Sequence, residues 1–267
     1  MKRHQLVLFF AIAMFFIACN NNAGTRTGTQ LALQPAGEAW GALYQQQAAE
    51  YKALCFQAYN IARLRLDQRL SVRSNKPLAI ITDIDETVLD NSPYFSQLAR
   101  EGKVYSDSSW VNWTARVKCD TIPGASGFLK YASAKGVTIF YITNRFQREL
   151  LPTVENLRKW KLPDADTTHV LLLNSNDSSK ESRRLSVEKD NEVILLIGDN
   201  LGDFNKYFDH LNNRERSLHA QAKAGLFGQK FVVLPNSMYG SWEDVFYKGR
   251  DVNSMEKQNE LLLNNLK

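Results

Sequence analysis

Asp83 and Asp85 stand two residues apart at the end of an apolar run, in ITDIDETVLDN (81–91), with Glu86 and Asp90 close behind and nothing basic nearby. Carboxylates crowded in this way repel one another, and burying them is costly unless a cation neutralises them. Asp199 and Asp203 form a second acidic pair in GDNLGDF, after the apolar run EVILLIG. Asp83, Asp85 and Asp199 together make an oxygen cage suited to Mg²⁺, an ion that keeps several waters and uses few carboxylates. Lys180, in NDSSKESRR, adds a point charge, and Thr143, in YITNR, adds a hydroxyl donor. One hard cation, one lysine and one hydroxyl suit a phosphoryl group. One of the two leading aspartates can attack phosphorus, and its neighbour can handle the leaving-group proton.

Singly, each piece is ordinary. A DxD pair is common at turns and in calcium loops, GDNLGD alone could be a turn, a lone lysine is usually solvated, and Thr143 could cap a helix. Their common position is what joins them. Five short apolar runs, LAIITDI (78–84), TIFYIT (138–143), HVLLL (169–173), EVILLIG (192–198) and FVVLP (231–235), are mostly β-branched and unalternating. That is the pattern of strands covered on both faces of a parallel sheet. Helical stretches such as GASGFLKYASAKG and LLPTVENLRKWKL fall between them. The alternation predicts a right-handed, doubly wound α/β domain, in which ligands bind at the carboxyl ends of the strands. Four of the five strand ends deliver acids, a hydroxyl or a lysine to that edge.

Three further stretches complete the organisation. Residues 38–71 repeat apolar side chains at three- and four-residue steps (Trp40, Leu43, Tyr44, Ala48, Tyr51, Leu54, Cys55, Ala58), which predicts one long helix or two. Residues 92–123 are rich in Trp and Tyr, lack a clear strand, and read as an insertion over the sheet's edge. The tail from about Trp242 to Lys267 is polar and reads as helical.

The N-terminus speaks to location. A short basic stretch, MKRHQ, precedes the apolar run LVLFFAIAMFFIA, which ends at Cys19. The run is short for a membrane span and has the layout of a secretory signal peptide. FIAC resembles a bacterial lipobox, with Phe16 where Leu is usual, so residues 1–18 are expected to be a lipoprotein signal peptide and Cys19 the lipidated residue. Asn20 rather than Asp follows it, which leans towards an outer membrane. Residues 19–37 are polar, small and aperiodic, and read as a flexible tether. The formal charge is +5, near +3 once Lys2 and Arg3 are removed. A surplus that small, without a basic stripe, gives no reason to expect nucleic acid. Cys55 and Cys119 could pair in an exported chain or could be two small buried hydrophobes.

The residues DIDETVLDNSPY, YITNR, the lysine of SSKESRR, and IGDNLGDF resemble motifs one to four of the haloacid dehalogenase (HAD) superfamily, in its phosphatase branch. The nearer likeness is to class C bacterial acid phosphatases, the lipoprotein 5′-nucleotidases. It extends over almost the whole chain after the tether, which makes residues 38–267 one HAD-like domain. A smaller helical cap is then formed by the N-terminal helix, about residues 92–123 and the C-terminal tail. The resemblance implies Asp83 as nucleophile and Asp85 as the acid that protonates the leaving oxygen and then activates water. It implies Thr143 and Lys180 at the phosphate, with Asn144 and Arg145 of the same motif open to orienting the phosphate or substrate or to a structural role. It implies Mg²⁺ bound by Asp83, the backbone carbonyl of Asp85, and Asp199, with Asp203 in support. Trp110 and Tyr239 match positions at which the family sandwiches a base or aryl ring. The expected substrates are small phosphomonoesters, 5′-nucleotides and aryl phosphates. The expected place is the bacterial cell envelope, lipid-anchored in the outer membrane, with homodimerisation open to the chain. Two other readings keep the fold: a surface binding lipoprotein that has lost turnover, and a phosphotransferase using the same covalent intermediate.

Overall fold

All five apolar runs join one parallel sheet in the computed structural model, which describes residues 36–173, 178–250 and 254–266. In chain order the elements are α1 (Ala36–Gln47), α2 (Ala49–Leu70), β1 (Leu78–Thr82), β2 (Leu89–Asp90), α3 (Ser92–Glu101) and α4 (Asp107–Thr114). They continue with β3 (Asp120–Thr121), α5 (Ala125–Ala134), β4 (Thr138–Phe146), α6 (Leu150–Lys159), β5 (Val170–Leu173) and α7 (Glu181–Asp190). The last are β6 (Glu192–Gly198), α8 (Asn213–Ala222), β7 (Phe231–Val233), α9 (Ser241–Tyr247) and α10 (Met255–Leu263). The sheet order is β5-β4-β1-β6-β7, with every neighbouring pair parallel. β1 is therefore central, and β4 and β6 flank it. The strand order reverses at β1, the switch point where such sheets open a crevice at their carboxyl edge.

Burial on both faces explains why the runs do not alternate. Ile80, Ile139, Leu195 and Ile197 pack into one apolar cluster, while Ala79, Ile81, Ile142 and Leu196 pack into a second. Each fully buried Ile or Leu contributes about 1.5–3 kcal/mol of transfer free energy. α2 covers the first face with Tyr51, Cys55, Ala58, Tyr59, Ala62 and Leu66, a helical spacing that lines up one stripe. Cys55 and Cys119 are both buried and unpaired, so each serves as a small core residue.

Three details differ from the sequence reading. The insertion does contain a strand: β3 pairs antiparallel with β2, Leu89 opposite Thr121 and Asp90 opposite Asp120. Two-residue ladders leave no run long enough to show in an apolar pattern. β4 continues past Thr143 to Phe146, through a register irregularity between Ile142 and Phe146, because Asn144 and Arg145 break the apolar run but not the strand. α1 starts at Ala36, so the stretch read as tether overlaps its first two residues. Cys19 and the signal-peptide stretch lie outside the described residues. Among the described residues no helix is long and apolar enough to cross a membrane.

The N-terminal helix also carries a buried acid. Glu38 is 7% exposed, and its Oε2 has no hydrogen-bond partner among the described residues. Burial, and next the charge of Glu243 on α9, push its carboxyl up from the ordinary 4.5 to about 7. The folded state thus prefers the neutral acid. Its contribution to stability is complete below about pH 4.5, declines as the unfolded chain ionises, and is gone once pH has passed about 7. Glu38→Gln is therefore expected to raise stability at pH 8 by about 2–3 kcal/mol and to leave it unchanged at pH 4. Denaturant unfolding at the two pH values measures this, and an equal effect at both would contradict it.

Candidate active site

The loop after β1 splits the acidic burst into two groups. The sheet continues one residue beyond β1, where the Asp83 amide donates to Ile197 O at 2.8 Å. The chain then turns tightly, with Val88 N and Leu89 N both donating to Ile84 O at 2.8 Å. Glu86, at φ 58°, takes a left-handed conformation that costs a non-glycine residue about 1–3 kcal/mol. Its fully buried carboxylate accepts from Gln45 Nε2 at 2.7 Å and from Asn91 N at 3.1 Å. Gln45 donates to Asp90 as well, at 2.6 Å. So Glu86 and Asp90 turn towards α1 and hold the loop, while Asp83 and Asp85 line the cavity at the strand tips.

Asp83, Asp199 and Asp203 meet at the ends of β1 and β6. Each offers a carboxylate oxygen, and the three oxygens lie within 4.8 Å of one another. Lys180, at the start of α7, reaches between strands to donate to Asp83 and, at 2.6 Å, to Asp203. Asp83, Asp203 and Lys180 are all buried. Burial raises the Asp83 carboxyl well above the usual range despite the lysine, and burial with the Asp203 charge raises Asp199 to about 7. Asp203 and Asp83 hold the Lys180 ammonium above its ordinary value against the effect of burial. One lysine thus faces three carboxyl groups, two of which burial and their mutual repulsion disfavour in the charged form. The donor set of three hard oxygens fits a divalent cation.

Backbone geometry places Asp203. Its Oδ2 accepts from Asn200 N at 2.8 Å, folding the side chain back over Gly198. A Cβ at Gly198 would lie 2.3 Å from that oxygen, so the glycine of GDNLGD is needed for close approach. Thr87 Oγ1 donates to Asp199 Oδ1 at 3.1 Å, and Asn236 Nδ2 to its Oδ2 at 2.8 Å.

Asp85 lies beside this cluster and is bound by β4. Arg145, 2% exposed, grips it with Nη2 to Oδ1 at 2.7 Å and Nε to Oδ2 at 3.1 Å. Thr143 Oγ1 donates to the same Oδ2 at 3.3 Å. Asn144 is exposed, and both ends of its amide are engaged: Oδ1 accepts from Arg183 at 2.6 Å and Nδ2 donates to Ser178 O at 2.8 Å.

These side chains open onto a cavity of about 450 Å³, lined by Asp83, Asp85, Thr143, Asn144, Lys180, Asp199 and Asp203, and also by Trp110 and Tyr239. The insertion braces both aromatics. Tyr94 meets Trp110 edge-on at 5.3 Å, and its neighbour Phe95 stacks on Tyr239 at 4.9 Å. The Arg145 guanidinium lies 6.0 Å from the Trp110 ring centre. All nine residues expected at the site from Asp83 to Tyr239 therefore line one cavity.

A family model described as HAD superfamily, subfamily IIIB (acid phosphatase) matches residues 19–242. The chain belongs to this family. It is similar to the class C acid phosphatase from Bacillus anthracis, at 37% identity and a TM-score of 0.84, over 89% of this chain and 99% of that one. The tungstate-bound structure of that enzyme matches as well, at 37% identity and a TM-score of 0.84 over 88% and 98% of the two chains. A curated relative, acid phosphatase 1 of Solanum lycopersicum, is 30% identical over 134 residues, 46% of this chain. The chain matches half the length of that relative. Within this acid phosphatase family fold, the sequence reading missed Arg145 as the partner of Asp85, along with Thr87 and Asn236 behind Asp199. Asn236 was within view, since PNSMYGSW follows the fifth strand, but its contact with Asp199 depends on how that loop crosses β6.

Proposed function

We propose that the protein is a surface-anchored, Mg²⁺-dependent phosphomonoesterase acting on 5′-nucleotides and aryl phosphates. The observation that carries this is the convergence of Asp83, Lys180, Asp199 and Asp203 in one cluster beside Asp85. The similar class C enzyme binds tungstate, an oxyanion that resembles phosphate in charge and shape, which supports a phosphate ester as ligand for this chain.

In this mechanism Asp83 attacks phosphorus and carries the phosphoryl group as an aspartyl-phosphate. Asp85 gives its proton to the departing ester oxygen, then takes one from the water that cleaves the intermediate. Lys180 exchanges its hold on the carboxylates for the phosphate oxygens, and Thr143 donates its hydroxyl to them. Asn144, with its amide committed to Arg183 and Ser178, shapes the phosphate site from its rim. Asp83, Asp199 and Asp203 would hold Mg²⁺ together with the Asp85 carbonyl. When bound, the ion neutralises charge on the carboxylates and on the phosphoryl group. Trp110 and Tyr239 offer faces on which a nucleobase or aryl ring stacks. Lipid at Cys19 would keep the domain at the outer membrane, since acyl chains add about 0.8 kcal/mol per buried methylene.

Phosphate release from p-nitrophenyl phosphate and 5′-AMP tests the activity. Release is expected to stop on EDTA treatment and to return with Mg²⁺; no metal-dependent release by the wild type would refute the reading. Anchoring is tested by metabolic palmitate labelling, expected in the wild type and lost in Cys19→Ser. Equal labelling of the two would remove it.

A further inference from the structure

Beside Arg145 and Thr143, Asp85 is held by a third residue with no place in the mechanism above. Asn91, fully buried, donates Nδ2 to Asp85 Oδ1 at 2.9 Å. Arg145 donates to that same oxygen as well as to Oδ2, and Thr143 donates to Oδ2, so both carboxylate oxygens of Asp85 are engaged. The Asn91 amide is itself oriented. Trp113 Nε1 donates to Asn91 Oδ1 at 2.9 Å, and Cys119 Sγ donates to the same atom at 3.2 Å. An indole N–H can only donate, so the atom facing it must be the amide oxygen, and the amide nitrogen is left to face Asp85. Asn91 N is held in turn by the Glu86 carboxylate at 3.1 Å. Trp113 lies on α4 and Cys119 just before β3, so both come from the insertion.

We infer that Asn91 is a positioning residue for the proton-transfer step, holding the Asp85 carboxyl at the cavity with an amide whose orientation Trp113 dictates. This rests on the reading of Asp85 as general acid. A misaimed acid harms only those reactions that need the proton. Alkoxide and nucleoside leaving groups need it strongly, whereas p-nitrophenolate departs with little help. Correct proton transfer is worth about 10²–10⁴-fold, and partial loss of aim forfeits part of that.

The test is kcat/KM across a series of phosphate esters of graded leaving-group acidity, because kcat/KM reports steps only through phosphoryl transfer to Asp83. Asn91→Ala is expected to lose about 10–100-fold on 5′-AMP and alkyl phosphates but only a few-fold on p-nitrophenyl phosphate, steepening the leaving-group dependence. Trp113→Phe keeps the ring and removes only the N–H. It should steepen the same dependence by a smaller amount, and it keeps the test open if Asn91→Ala does not fold. A parallel drop for every ester, with the slope of the wild type, would overturn the inference and leave Asn91 a packing residue. Absence of phosphate release by the wild type would instead refute the phosphatase reading itself.

Discussion

Asp83→Asn is expected to lower phosphate release by about 10⁴-fold or more while leaving the fold intact. Removing a covalent nucleophile forfeits the whole two-step route, and what survives is binding and electrostatic stabilisation. The amide is isosteric and keeps an oxygen to accept from Lys180. It also relieves the cluster of a carboxylate that burial disfavours in its charged form. The melting temperature in EDTA should therefore be no lower than that of the wild type. Steady-state assays with p-nitrophenyl phosphate, paired with thermal unfolding, check both halves. Undiminished release would remove Asp83 from the chemistry, and a large drop in melting temperature would mean the loss was one of folding.

Lys180→Met is expected to cost both activity and stability, for separable reasons. Without the ammonium, Asp83 and Asp203 are left buried with no neutralising lysine, beside half-buried Asp199. Removing one partner of a buried ion pair costs about 3–5 kcal/mol, most of it the charge left behind. The lost phosphate contact should lower kcat by about 10²–10³-fold. On the proposed reading Mg²⁺ offsets two of the three carboxylate charges but cannot replace a donor to the phosphate. Adding it should recover much of the stability and little of the turnover. Denaturant midpoints and kcat measured across a Mg²⁺ titration distinguish the two, and parallel recovery would contradict the assigned roles.

The fold was legible because its signal is thermodynamic and repeated. Five unalternating apolar runs each need two covered faces, and only a layered parallel sheet supplies them. The site was legible for a related reason, since chemistry placed at strand ends sits next to the pattern that reveals the strands. Thr143, Lys180 and Asp199 could be found because each follows such a run. The sequence singled out Asp83 and Asp85 but showed no duty for Glu86 and Asp90, because a left-handed turn at Glu86 is what sends those two towards Gln45 of α1. Nor did it show that Arg145 serves Asp85, because that pairing depends on β4 extending past its apolar run. The β2–β3 ladder and the Trp113–Asn91 contact are long-range, and no local period announces them.

The central claim is that Asp83 takes the phosphoryl group before water does. Hydrolysis of a substrate chiral at phosphorus tests it most directly. Two successive in-line displacements, first by Asp83 and then by water, predict overall retention of configuration. Inversion would mean a single displacement by water, and the covalent account would be wrong.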